Sequence, residues 1–105
     1  MADFTKVYVQ RALESRLAGH GTLAVETTED GHLTIVHQYQ SDWDGRQVKM
    51  SIAQLRRRGR QLQLFWQREN GRWVRYEDDA RRPFVGSLDA CVREIGSDRW
   101  GCFWG

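Results

Sequence analysis

Apolar positions along the chain follow two different periods. Near the start, Phe4, Val7, Tyr8, Ala12, Leu13 and Leu17 recur at spacings of three and four, which predicts a helix over 4–18. Asp3 is placed to cap it, and Gly19 and Gly21 to end it. The segment "SLDACVREIG" repeats the pattern more cleanly: Leu88, Cys91, Val92 and Ile95 fall at i, i+3, i+4 and i+7. Ser87 is a preferred N-cap residue, Asp89 sits where the helix dipole favours an acid, and Gly96 suits the left-handed position after the last turn.

Between the helices the period shortens to two. "TLAVETTEDGHLTIVHQYQ" reads as two strands about Asp30-Gly31, a residue pair suited to a two-residue turn with positive φ at both positions. A loop, "SDWDG", leads to a strand from Arg46 to Arg56, then one from Arg60 to Arg68, and a fifth from Arg72 to Glu77 after Asn70-Gly71. The expected fold is α+β: a five-stranded antiparallel meander flanked by an N-terminal and a C-terminal helix packed on one face, in a single domain spanning 1–105.

Register follows from burial. Placing Gly59 last in a three-residue loop sets Ile52 opposite Leu64 and Met50 opposite Trp66, which brings both apolar stripes to one face; a two-residue loop would mismatch them. A two-residue turn at Asn70-Gly71 sets Arg68 beside Trp73 and Arg75 beside Trp66, predicting a ladder of stacked arginines and tryptophans on the core side. The predicted core face is Val48, Met50, Ile52, Leu62, Leu64, Trp66 and Trp73. The opposite face carries Lys49, Ser51, Gln61, Gln63, Phe65, Gln67, Arg72, Val74 and Tyr76. The ending "DRWGCFWG" places three aromatic residues among the last six, so Trp100, Phe103 and Trp104 are expected to fold back over the apolar edge left by the second helix.

Composition narrows the class. Of 105 residues, 40% are apolar and 29% charged with one proline, which is ordinary globular usage. No run approaches the ~18 apolar residues of a membrane span, and the first twenty residues mix acids with bases, so no membrane association and a cytoplasmic location are expected. Cys91 and Cys102 are accordingly expected to be reduced. The formal charge of +2 hides an asymmetry: residues 46–82 carry eleven bases against four acids, and the rest of the chain is net acidic. Such a segment either offsets its own neighbours or meets an anionic partner.

Catalytic parts are sparse. "GHGTLA" matches a Gly-x-Gly-x-x-Ala fingerprint by letter, but it follows a predicted helix and opens a strand, the reverse of a dinucleotide site. His20, His32 and His37 are scattered, and with two cysteines they form no zinc spacing. "DWDG" lacks the remaining ligands of a calcium loop. Ser87 reads as a helix cap, and Glu77, Asp78 and Asp79 as solvated loop acids. The expectation is no enzyme, no metal and no cofactor.

"AQLRRRGRQLQLFWQRENGRWVRYED" followed by "SLDACVREIGSDRWGCFWG" resembles the family catalogued as domain of unknown function 3024. Its members combine a tryptophan-rich strand pair, a W-x-x-Y element, an amphipathic helix and a terminal Gly-x-Phe-Trp-Gly. The resemblance covers Ala53 to Gly105 and implies no chemical activity. The reading that remains is a non-enzymatic module for protein interaction or self-association that uses the open sheet face, with Lys49, Phe65, Gln67, Arg72 and Tyr76 on it and Arg57 and Arg58 at the hairpin end. The alternative partner is single-stranded nucleic acid, bound through the basic, aromatic segment 46–82 by stacking and phosphate contacts.

Overall fold

The computed structural model describes residues 4–17 and 19–104. Helix α1 (Phe4–Leu13) continues into one 3₁₀ turn (Glu14–Leu17). Strands β1 (Thr22–Thr27), β2 (Leu33–Gln40), β3 (Gln47–Arg58), β4 (Gln61–Gln67) and β5 (Trp73–Arg75) then pair in sequence order. A short sixth strand, β6 (Val85–Gly86), also pairs with β4, and helix α2 (Leu88–Ser97) follows. The sheet is antiparallel throughout, and both helices contribute side chains to one core on one of its faces. The α+β meander is therefore as expected, with one strand added.

Helix α1 buries only the second half of the expected stripe, Leu13 and Leu17, and adds Val9. Val9, Leu13 and Leu17, spaced by four, enter the core, whereas Phe4 (76% exposed), Val7 and Tyr8 face solvent. The stripe that wins is the one that meets α2: Gly96 has no side chain, and a Cβ there would lie 3.5 Å from Leu13 Cδ2. Gly96 thus lies within α2 facing Leu13, with room for ordinary contact, and does not end the helix. The left-handed position belongs to Asp98, with φ of 46°, whose N–H donates to Glu94 O at 3.0 Å. At the other end Ser87 Oγ accepts the Ala90 N–H at 3.1 Å, as its cap role requires. The cap proposed at Asp3 lies outside the described residues.

The registers differ from expectation for one linked reason. Between β2 and β3, Ile35 pairs with Ala53 and Val36 with Ser51, which leaves Ile52 as an extra residue in a β-bulge. The bulge switches the side-chain parity of β3. Val48, Met50 and Ile52 point to the helix side before it, but Ala53 and Leu55 do so after it, and Leu55 pairs with Leu64. With the parity switched, apolar residues meet only across a two-residue loop. Gly59 at φ of 63° followed by Arg60 supplies it, in the pattern of a II′ turn.

The two turns read as two-residue loops each hold three. Thr28 N–H donates to His32 O and Gly31 N–H to Thr28 O; Arg68, Gly71 and Arg72 repeat both bonds. In each, only the glycine has positive φ, which is a type I turn closed by a glycine bulge. The extra residue sets Phe65 opposite Arg75 and Gln67 opposite Trp73, so the faces of β5 are reversed. Trp73 and Arg75 leave the core side, and Val74 and Tyr76 enter it. The predicted arginine–tryptophan ladder is absent; what persists of it is Arg68 over the Trp66 ring at 5.8 Å, and Arg75 ion-paired to Glu77 at 2.9 Å.

Candidate interaction surface

The aromatic ending is built on Asp98. Its carboxylate accepts the backbone N–H groups of Phe103 at 2.9 Å and Trp104 at 3.0 Å, and the Trp104 indole donates to Ile95 O at 2.9 Å. Phe103 is buried against Tyr76, ring to ring at 5.0 Å, and Trp104 packs on the edge of the core. Trp100 does not join them: it stays 57% exposed, with Arg99 over its ring. Two of the three aromatics thus fold back as expected.

Beneath that ending lies a buried polar network. Tyr76 Oη donates to Glu94 Oε1 at 3.2 Å, and Arg99 binds the same oxygen at 2.8 Å while reaching Asp79 at 3.0 Å. Burial pushes the Tyr76 phenol up to about 12. Tyr76 is therefore a core residue, only 2% exposed, and is not on the open face where the sequence placed it. Burial also pushes the Cys91 thiol up to about 11 and, with the nearby Asp98 charge second, raises Cys102; neither is bonded to another cysteine. These shifts all move away from reactivity at neutral pH.

The sheet face opposite the helices is assembled from all the long strands. Lys49 lies on it and pairs with Glu26 at 3.1 Å; Gln67 lies on it and donates to Gly71 O at 3.0 Å. Arg58 belongs to it, at the end of β3 opposite Gln61. Arg57 alternates to the helix side opposite Leu62, and Arg72 is exposed at the closing pair of the β4–β5 turn. Phe65 lies on the open face with the Arg56 guanidinium 4.0 Å from its ring centre. Arg56 Nε donates to Gln54 Oε1 at 2.7 Å, and Gln54 in turn donates to Thr34 Oγ1 at 3.0 Å. Both Gln54 and Thr34 are buried.

Contributors to this face that were missed in the sequence include Arg56, Gln54, Trp73 and Arg75. Trp73 and Arg75 turn on the length of one loop, and Gln54 and Arg56 on the bulge at Ile52. Neither feature has a strong local signal, since Asn-Gly serves both turn lengths and a bulge needs no glycine.

The helix side of the sheet also has an open groove, about 970 Å³, beyond the reach of the helices; Met50, Ile52, Trp66, Arg68, Trp100 and Trp104 are in its walls. A second cleft, about 700 Å³, lies between Gly19–Gly21 and the β2–β3 loop, where Trp43 is 89% exposed. Among the described residues no group of three or more His, Cys, Asp or Glu is placed to hold a metal, and no helix is long and apolar enough to cross a membrane.

No curated protein and no solved structure matches the chain. The model of the domain of unknown function 3024 matches residues 2–105, extending the resemblance seen in the second half over the whole length, and the chain belongs to that family.

Proposed function

We propose that this domain is a non-enzymatic protein-interaction module that binds its partner, another protein or a second copy of itself, with the open face of its sheet. The observation that carries this reading is the division of the sheet. Both helices and the aromatic ending supply one face, and the other is left with Phe65 and Trp73 set among glutamines and arginines. Aromatic and arginine side chains are the ones that concentrate binding energy at protein interfaces. Among the groups with shifted pKa values, Tyr76 is engaged in the core and Cys91 and Cys102 are made less reactive, which supports binding over catalysis. Free thiols suit a cytoplasmic setting.

Affinity capture from the native cells tests the reading when three proteins are compared: wild type, Trp73→Ser, and Phe4→Ser as a control at an exposed aromatic residue on α1. Loss of a discrete captured protein with Trp73→Ser alone supports it. Loss with Phe4→Ser alone would move the binding surface to the helix side.

A further inference from the structure

The geometry points to an acidic segment of the partner protein as what the open face receives, with a carboxylate held by Arg56; this rests on the reading of that face as the interaction surface. The argument begins with how charges are disposed. Lys49, Arg75, Arg82, Arg93 and Arg99 each have a carboxylate within ion-pair distance. Arg56, Arg57, Arg58 and Arg60, at the closed end of the β3–β4 hairpin, have none among the described residues. Other cations, Arg11, Arg68 and Arg72 among them, also lack one among the described residues, but the hairpin end gathers four such arginines within residues 56–60.

Arg56 is also prepared for a ligand in a way its neighbours are not. The chain of Thr34, Gln54 and Arg56 fixes Nε, and the Phe65 ring fixes the guanidinium plane. The two terminal nitrogens have no partner among the described residues. A planar fork held on an aromatic ring, with both outer donors free, matches the two oxygens of a carboxylate and loses little side-chain entropy on binding. Arg58, two residues on along the same face, supplies a second charge.

The same positions argue against single-stranded nucleic acid. Stacking successive bases needs several bare rings, yet the Phe65 ring is covered by Arg56 and Tyr76 is in the core, which leaves Trp73 alone of the aromatic side chains named on this face.

The test titrates a labelled oligoglutamate peptide into wild type, Arg56→Lys and, as a control with the same change elsewhere, Arg11→Lys. Lysine keeps the charge and loses the fork, so Arg56→Lys is expected to weaken binding roughly five- to tenfold, with Arg11→Lys unchanged. Backbone amide shifts of the wild-type protein on adding the peptide should centre on Arg56, Arg58 and Phe65, a readout that does not depend on any variant folding. Binding indifferent to Arg56→Lys, with shifts on the open face, would overturn the carboxylate site and leave the interaction face standing. Shifts confined to the helix side would overturn both. Tighter binding of a single-stranded oligonucleotide than of the peptide, lost with Arg56→Lys, would replace the acidic partner with nucleic acid.

Discussion

Asp98 Oδ1 accepts the backbone N–H of Phe103 at 2.9 Å, from a residue that also ends α2 in the left-handed conformation. One residue thus stops a helix with its backbone and starts the path of the aromatic ending with its side chain. Asp98→Ala removes acceptors from two amides and keeps an unfavourable backbone conformation, so it should lower stability by about 2 to 3 kcal/mol. Trp100→Ala, at an exposed ring, should change it by less than about 1 kcal/mol. Thermal or urea unfolding of the two variants checks the contrast.

Three tight turns in this fold share one hydrogen-bond pattern but not one residue. The Asp78–Arg82 turn bonds Asp78 N–H to Arg82 O and Arg81 N–H to Asp78 O, as the glycine turns do, yet Arg81 takes the left-handed position with φ of 61°. Arg81→Gly should therefore raise stability or leave it level, by up to about 1 kcal/mol, whereas Gly71→Ala should lower it by about 1 kcal/mol. Paired unfolding curves should show a loss for Gly71→Ala and none for Arg81→Gly.

Glycines inside the fold divide by what surrounds them. A Cβ on Gly21, at φ of 80°, would run into the Gln38 carbonyl and Tyr39 Cβ, so Gly21→Ala should be strongly destabilising. Gly96 is helical and its new methyl would make ordinary contact with Leu13, so Gly96→Ala should stabilise by about 0.5 to 1 kcal/mol. Melting temperatures of the pair check this.

The buried Tyr76 phenol gives a pH signature. Its folded pKa, about 12, lies above the unfolded value of 10.0, so the neutral form is preferred in the fold. The contribution to stability is complete below the unfolded value and is lost as pH rises through the folded one. A tyrosinate absorbance titration should show one tyrosine ionising near 12 or only on unfolding, and Tyr76→Phe should remove that step.

Legibility in the sequence tracked how local each signal is. Helix α2 was readable to its cap because Ser87 and the Leu88, Cys91, Val92 and Ile95 stripe act within one element. Helix α1 was readable as a helix, with Leu13 and Leu17 on the right face, but its first half was not, since Val9 and not Phe4, Val7 or Tyr8 continues the stripe that packs beside α2. In the sheet, strand existence was legible and register was not. One bulged residue, Ile52, and one extra turn residue at Glu69 each flip the faces of everything that follows. Site assignments inherited those flips, which is why Tyr76 was placed outside and Trp73 inside.

The division of the sheet into a core face and a free one is tested most directly by placing a photo-crosslinking benzoyl-phenylalanine at Trp73 in one protein and at Phe4 in another, irradiating each in its native cells. A discrete adduct with another protein, or with a second copy, from position 73 and none from position 4 is the expected result. Adducts from position 4 alone would contradict the assignment of the open face as the interaction surface.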